Sequence, residues 1–458
     1  MLFSSITFIY YFLPILLIIY FSISSKFKNL ILLIFSLLFY FLGEPKYIIV
    51  LILSCIVNYF LSRLIYKGKN SKVYLLIGII YNISSLLIFK YTDFFIYNIN
   101  NLFKINIPFL YIVMPIGISF YTFQILAYII DVYNKKHKPA DSLLTFMTYV
   151  CLFPQLVAGP IVRYSDIKEQ MIKREQSFTK VSEGIKRFVI GLSKKVLLAN
   201  VLGELSKSII EETLVASWIR PLLYTLQIYF DFSGYSDMAI GLGLILGFRF
   251  LENFNYPLIA SSITDFWRRW HISLSSWFKD YVYIPLGGSK KGTLKLVRNI
   301  FIVWSLTGFW HGASWNFVIW GLYFALLLII EKLFLKKYLD RTKIIKYIYT
   351  LLIVVISFLI FNETDLSNLI YNLKNMFSLS IPFIGKESIY YLKSNCILLL
   401  VSFISSTPLL KTIVNKVKET KIKKLINILE PVIYILLLIL NTAFLIDGSF
   451  NPFLYFRF

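Results

Sequence analysis

Charged residues and cysteines are scarce in this chain. Only 16% of its 458 residues are Asp, Glu, Lys or Arg, against about a quarter in an ordinary globular domain. The three cysteines are far apart, lie in apolar runs and have no metal-ligand spacing, so we expect them to be small core residues. The sequence has no Walker loop, no Gly-x-Ser-x-Gly elbow and no row of acidic residues for a cation path. Metal, P-loop and serine-hydrolase chemistry therefore have no candidate site.

The chain is rich in long apolar runs instead. Hydrophobic residues make up 58% of the sequence, and the mean hydropathy is +0.71. Nearly uninterrupted apolar runs lie at 6–22, 29–42, 47–61, 347–361 and 432–445, and they approach or reach the roughly 17 to 20 residues that cross a hydrocarbon core. We predict an all-α integral membrane protein with about ten to twelve spans or half-spans.

Basic residues outnumber acidic ones, 47 to 24, which gives a net charge of +23. This excess could suggest a nucleic-acid partner, but the Lys and Arg lie in short loops between apolar spans, as membrane topology demands. We therefore expect the bilayer, including its anionic lipids, as partner and no nucleic acid. A second use would be attraction of an anionic cytoplasmic cofactor such as a nucleotide thioester. The positive-inside rule places the N-terminus outside and the basic loops in the cytoplasm.

The chain shows no internal repeat or low-complexity linker, which predicts one membrane-embedded domain over 1–458. Within it, 1–133 are scaffold helices, 141–321 a re-entrant and catalytic core, and 332–458 C-terminal helices around an outer loop at 362–388. Residues 153–160 place two prolines and a glycine in an apolar run between basic loops, which favours a re-entrant hairpin buried in protein. Asp231 and Asp237 lie in a membrane segment and either face a polar interior or bond neighbouring helices.

His271 is one of only three histidines and follows a tryptophan-rich stretch. Apolar residues at 263, 267, 270, 274, 277 and 281 predict a single helical face over 263–281. The polar edge beside it consists of Thr264, Arg268, His271 and Ser275, and Asp265 can pair with a following arginine. This helix suits the membrane interface or a water-filled cavity. His271 is either a hydrogen-bonded core residue or a functional one.

His311 lies in a small-residue, polar centre of the apolar segment 300–330. The segment is long enough for a helix hairpin with its bend near 312–314, and Gly308 and Gly312 allow close backbone approach. We expect His311 at the bottom of a cavity open to the outside. A buried imidazole supports base-mediated transfer to a hydroxyl most simply, although a hydrogen-bonded core histidine is the alternative.

Six segments together resemble the membrane-bound O-acyltransferase family, in particular its alginate O-acetylation branch. They are 153–161, 229–239, 265–274, 283–288, 308–312 and 452–458. The resemblance implies a shell of many helices, with re-entrant segments, around a central tunnel. Acyl donor would enter this tunnel from the cytoplasm and acceptor from the other side. The hallmark histidine of the family maps onto His311, and the second motif position maps onto His271.

The resemblance also implies a function: passing acetyl from a cytoplasmic thioester across the bacterial cell membrane for O-acetylation of a cell-surface or secreted polysaccharide. His311 and His271 would be catalytic, with His311 as general base. The candidate substrate-binding residues are Asp265, Trp267, Arg268, Arg269, Trp270, Trp310 and Asn316. We expect no metal or bound cofactor; the donor would be acetyl-CoA or an acyl-carrier thioester, and the partners an acyl carrier protein and a secreted acetyltransferase outside. The alternatives are D-alanyl transfer to teichoic acid and a non-enzymatic polysaccharide exporter or flippase.

Overall fold

The computed structural model describes residues 1–290, 292–420, 423–448 and 451, without the side chains of 424 and 425. The terminal motif at 452–458, which contributed to the resemblance, lies outside the described residues. Within the described part every regular element is helical. The chain divides into two compact units, Met1–Phe188 with Ser236–Leu251, and Val189–Tyr235 with Glu252–Phe458. The single embedded domain stays a prediction.

The N-terminal half supplies the helices of the first unit. In chain order they are α1 Leu13–Ser22, α2 Lys28–Gly43, α3 Ile48–Tyr66, α4 Ser71–Phe103, α5 Ile118–Tyr133, α6 Leu143–Cys151, α7 Phe153–Leu156, α8 Tyr164–Ile172 and α9 Phe178–Ser193. Ser142 begins α6 by accepting a hydrogen bond from the backbone N–H of Thr145, as an N-cap serine does. The chain breaks at Leu152 before α7. All of 148–162 is buried, as the predicted re-entrant hairpin requires of non-helical backbone at membrane depth.

The second unit contains most of the remaining helices. They are α10 Val201–Ser208, α11 Leu214–Ile245, α12 Ile263–Arg269, α13 Ile272–Phe278, α14 Thr293–His311, α15 Trp315–Ile330, α16 Lys336–Leu339, α17 Ile345–Asn362, α18 Leu366–Met376, α19 Lys386–Ser394, α20 Cys396–Ser405, α21 Leu409–Lys418 and α22 Lys423–Asp447. Helices α9 and α11 each contribute residues to both units. A π-helical segment, Lys194–Asn200, follows α9.

Six described helical segments are long and apolar enough to cross a membrane. They are Ser25–Gly43, Ile48–Tyr66, Ser71–Phe103, Trp315–Leu339, Ile345–Asn362 and Ile426–Asp447. A seventh results if α19 and α20, which meet at 65°, form one bent span. These helices support the predicted multi-pass membrane protein. The count of ten to twelve, which included half-spans, stays a prediction, and so does the tunnel.

In the second unit, the acidic loop that contains Glu211 and Glu212 binds the predicted outer loop 362–388; the lack of basic residues next to these two glutamates places their loop outside as well. The Glu211 carboxylate accepts hydrogen bonds from the backbone N–H groups of Glu387 and Ser388. In return, the Glu387 carboxylate accepts from those of Ile210 and Glu211. Since a hydrogen bond requires both loops on one side of the bilayer, this exchange supports the predicted topology between α10 and α19.

The two acidic residues of α11 are each held by a basic residue. Asp231 lies 2.8 Å from Nζ of Lys195, and both side chains are almost fully buried. Asp237, in the first unit, lies 2.8 Å from Nη2 of Arg187 in α9. Of the two alternatives left open by the sequence, bonding to a neighbouring helical segment is therefore observed for both.

Candidate functional site

The continuous helix predicted over 263–281 is wrong, because the chain breaks at His271. This residue adopts the left-handed conformation, with φ 44° and ψ 55°, between α12 and α13. Such a conformation is unfavourable for a residue with a Cβ and persists when the surroundings enforce it. Two backbone hydrogen bonds to the segment before α12 do so here: Ile272 N–H donates to Asn253 O (3.0 Å), and Asn255 N–H donates to Arg269 O (2.9 Å). As a result, His271 leaves the polar edge that helical periodicity assigned to it.

His271 is fully buried in an aromatic setting. Its ring centroid lies 4.7 Å from that of Phe232 and 6.3 Å from that of Trp310. Its Nδ1 is 3.2 Å from Oδ1 of Asn253. Burial lowers the pKa of His271, which lies outside the six candidate spans, well below the ordinary histidine value. The imidazole is therefore neutral near pH 7.

His311 is the last residue of α14, and α15 begins four residues later at Trp315. The predicted helix hairpin with its bend at 312–314 is confirmed. His311 is 2% exposed, so a cavity that reaches it from the outer side stays a prediction. Its ring centroid lies 5.0 Å from Trp310, 4.9 Å from Trp320 and 5.3 Å from Phe361. Because Trp310 also contacts His271, the fold brings both predicted histidines to the same indole.

Two glycines allow the two arms of this hairpin to pack closely. A Cβ added to Gly308 would lie 2.4 Å from the carbonyl oxygen of Phe317, and one added to Gly321 would lie 2.4 Å from that of Trp304. Either distance is far below ordinary van der Waals contact. Gly308 precedes His311 by less than one turn, so this crossing fixes the position of the imidazole relative to α15.

A cavity of about 200 Å³ lies beside the histidines in the second unit. Its lining contains three basic residues, four aromatic residues, two threonines, one serine and aliphatic side chains; among them are Arg268, Lys279, Lys332, Trp267, Tyr283, Trp304 and Thr307. Thr307 precedes His311 by one helical turn in α14. Neither histidine lines the cavity. Trp267, which lines the cavity, packs on Trp320 with ring centroids 5.6 Å apart, and Trp320 in turn contacts His311.

The structure divides the seven candidate substrate-binding residues among four environments. Trp267 and Arg268 line the cavity, and Trp310 contacts both histidines. Asp265 and Arg269 form an ion pair of 2.9 Å and line a separate groove of about 530 Å³ beside α17. The other two residues are buried in packing contacts.

These two residues are Trp270 and Asn316. Trp270 stacks on Phe266 at 5.5 Å. The Asn316 Nδ2 donates to the carbonyl oxygens of Ile360 and Phe361. These two hydrogen bonds hold the start of α15 against the end of α17. The Phe361 ring at the end of α17 contacts His311.

Sequence reasoning missed several residues that build this site. Lys279 and Lys332 add positive charge to the cavity. Glu331 is fully buried and accepts hydrogen bonds from the backbone N–H groups of Ile263 and Thr264, at 2.7 and 3.0 Å, so it caps α12. The signal for Glu331 was an acidic residue directly after the apolar run of α15. Asn253, the partner of His271, carried no comparable signal.

Known proteins similar to this chain agree with the resemblance of its motifs. Residues 134–362 match the MBOAT, membrane-bound O-acyltransferase family. A protein of Pseudomonas putida named "Probable alginate O-acetylase AlgI" is 40% identical over 379 residues, which cover 80% of this chain and 78% of the relative. A peptidoglycan O-acetyltransferase of Helicobacter pylori is 34% identical over 438 residues, covering 86% of this chain and 83% of the relative.

A more distant match has a different acyl group in its name. The teichoic acid D-alanyltransferase of Bacillus subtilis is 32% identical over 231 residues, covering 46% of this chain and 58% of the relative. The family match spans the cavity and both histidines, and the acetylation relatives align over most of their length. On these grounds the chain belongs to the membrane-bound O-acyltransferase family, and it is a membrane-embedded O-acyltransferase.

Proposed function

We propose that the protein passes acetyl from a cytoplasmic thioester across the bacterial cell membrane for O-acetylation of a cell-surface or secreted polysaccharide. Two relatives that align over most of this chain are named for alginate and peptidoglycan O-acetylation, which supports a polysaccharide acceptor. The observation that carries the proposal is the placement of the buried His311 one helical turn from a cavity lined by three basic residues. Because the family is one of O-acyltransferases, the non-enzymatic exporter is not proposed.

His311 is the general base of the proposed reaction. The acceptor hydroxyl oxygen attacks the thioester carbonyl carbon while the imidazole takes the hydroxyl proton. A C–O bond forms, the C–S bond breaks, and the sulfur leaves as a thiol after taking a proton from the imidazolium. The aromatic rings of Trp310, Trp320 and Phe361 exclude water from this step. Water that entered would hydrolyse the thioester.

The basic cavity is the proposed donor site. Acetyl-CoA and acyl-carrier thioesters both carry negatively charged phosphate, which Arg268, Lys279 and Lys332 attract. Its volume of about 200 Å³ is below the roughly 300 to 1,000 Å³ of typical ligand pockets. It therefore suits the acyl end of a narrow thioester arm better than a whole nucleotide.

Neighbouring arginines provide a matched test of the donor site. Arg268 lines the cavity, and Arg269 lines the separate groove. Arg268→Ala should raise the donor KM about tenfold, because a hydrogen bond to a charged group is lost. Arg269→Ala should leave the donor KM nearly unchanged. An equal rise in both variants would show that the donor does not use this cavity.

Substitution of His311 tests the catalytic assignment. His311→Gln keeps a polar side chain but cannot act as a base, so polysaccharide acetylation should fall by about 10² to 10⁴-fold. His137→Gln is the control, since His137 is also buried but lies in the first unit against Tyr128 and Tyr164. Membrane levels of both variants are measured by immunoblot. Near-normal acetylation with His311→Gln would refute the role of His311.

D-alanyl transfer is the second candidate, and the Bacillus subtilis relative favours it. A D-alanyl thioester carries an ammonium group, which the three basic residues of the cavity would repel. An acetyl group has no such charge, so the cavity favours acetyl transfer. Incubation of membranes with acetyl and D-alanyl thioesters, followed by mass spectrometry of the modified polymer, distinguishes the two donors.

The acetyl group is proposed to pass to a partner outside the cell membrane. His311 is deeply buried, and a small hydroxyl presented by a partner reaches such a site more readily than a polymer does. The proposed partner is a secreted acetyltransferase. Liposomes with acetyl-CoA inside and polysaccharide outside test this requirement, and efficient acetylation without any partner would contradict it.

A further inference from the structure

Asn253 binds both sides of the break at His271. Its side chain is fully buried, and its Oδ1 lies 3.2 Å from the backbone N of Ser273, 2.9 Å from Oγ of Ser273 and 3.2 Å from Nδ1 of His271. Its own carbonyl oxygen accepts from the N–H of Ile272 at 3.0 Å. One asparagine thus meets three consecutive residues, beginning with His271.

The bond to Ser273 determines which way the Asn253 amide is oriented. A backbone N–H can only donate, so the side-chain atom that faces it must be the amide oxygen and not the amide nitrogen. The same oxygen faces Nδ1 of His271, which must then carry a proton in order to donate. A neutral imidazole has only one N–H, and therefore Nε2 holds the lone pair.

We propose that Asn253 is a positioning residue that holds His271 in the Nδ1–H tautomer and leaves Nε2 as its hydrogen-bond acceptor. The inference rests on the proposed function and on the catalytic role that the family resemblance implies for His271. It also restricts what His271 can bind. A neutral Nε2 acceptor cannot hold a phosphate or a thioester carbonyl, which are acceptors themselves. It binds an N–H or O–H donor, such as an amide N–H of the thioester arm or the acceptor hydroxyl.

Two substitutions separate tautomer control from simple packing. Asn253→Asp retains an oxygen for all three side-chain hydrogen bonds, and a carboxylate only accepts, so Nδ1 keeps its proton. Because the carboxylate also raises the pKa of the imidazole, this variant is measured at a pH at which the ring is neutral. Asn253→Ala removes the acceptor and makes the Nε2–H tautomer available. Asn255→Ala is the control, because Asn255 is the same residue type two positions later and is exposed.

Nitrogen NMR of protein labelled at histidine measures the tautomer directly. His271 is identified by the signal that is lost in His271→Gln. The full-length protein in lipid nanodiscs, without substrate, should show a protonated Nδ1 and an unprotonated Nε2 in the wild type, in Asn253→Asp and in Asn255→Ala. Asn253→Ala should show an Nε2–H population. Protonated Nε2 in the neutral wild-type ring would overturn the proposal, and this measurement remains valid if the alanine variant fails to fold.

Acetyl-transfer kinetics complete the test. Asn253→Ala should lower kcat by about 10- to 100-fold, the usual effect of losing the partner that orients a functional histidine, while Asn253→Asp should retain most of it. Equal losses in both variants, with the tautomer kept in Asn253→Asp, would reduce Asn253 to a structural residue and overturn the proposal. If His271→Gln transfers acetyl normally, the role of His271 in the proposed function fails. The NMR result on Asn253 stands independently of that outcome.

Discussion

The crossing of α14 and α15 should not tolerate a side chain at Gly321. In Gly321→Ala, the new Cβ would lie 2.4 Å from the carbonyl oxygen of Trp304 and 3.0 Å from Cα of Gly308. Both are backbone atoms, which cannot move away as a flexible side chain would. Restoring an ordinary contact of at least 3.4 Å requires the helices to separate by about 1 Å.

This displacement has separate effects on stability and on activity. Overpacking of a tight contact costs about 1 to 3 kcal/mol of unfolding free energy. The same shift moves α14, and with it His311, away from Trp320, and a misplacement of about 1 Å costs roughly 10²-fold in rate. Gly321→Ala should therefore lose most acetyl transfer while the protein still inserts into the membrane.

Initial rates in isolated membranes and unfolding temperatures in detergent check both effects. Leu322→Ala is the control, because Leu322 follows Gly321 on α15 and is 36% exposed. It should keep the wild-type rate. Normal rate and unfolding temperature in Gly321→Ala would refute the argument that this crossing positions His311.

Three further predictions concern the cavity, the buried ion pair and the topology. Trp304→Ala should enlarge the cavity and allow transfer of butyryl as well as acetyl, which mass spectrometry of the product detects; strict acetyl specificity would contradict this. Lys195→Met or Asp231→Leu alone should cost about 3 to 5 kcal/mol, because each leaves a buried charge without its partner. The double variant should recover most of the unfolding temperature, and equal temperatures for all three would contradict the prediction. A cysteine at Lys290 should react with impermeant thiol reagents only from the cytoplasm and one at Ser367 only from outside; reversed labelling would invalidate the topology.

Local sequence predicted the features that depend on neighbouring residues. The hairpin bend at 312–314 follows from small residues in an apolar segment, and the long runs predict the spans because bilayer thickness fixes their length. The contacts of His311 with Trp310 and Trp320 also depend on neighbouring residues, because both tryptophans lie within ten residues of His311. The family motifs predict a catalytic role for both histidines, and that role stays a prediction.

Contacts between distant segments could not be read from periodicity. A regular helical pattern over 263–281 gave no sign of the break at His271, because Asn253 and Asn255 enforce that break from outside the pattern. Because of this break His271 leaves the predicted polar edge, whereas the other three members of that edge, Thr264, Arg268 and Ser275, line one cavity together. Arg268 and Arg269 are adjacent in sequence but line different openings, and only packing against α14 and α17 decides which one faces the cavity.

The two histidines are held by different means, and this should make them respond differently to distant changes. His311 depends on the glycine crossing and on Asn316, which ties α15 to the end of α17. The position of His271 depends on the loop 253–255 before α12, called the asparagine loop for Asn253 and Asn255, and on Glu331, which caps α12. A substitution that shifts the end of α17 should therefore displace His311, the proposed base, and leave the tautomer of His271 unchanged. A substitution that removes the Asn253 side chain should change the tautomer of His271 and leave His311 in place. Separate supports would therefore allow the proposed base and the proposed hydrogen-bond acceptor to be perturbed one at a time, although both rings contact Trp310.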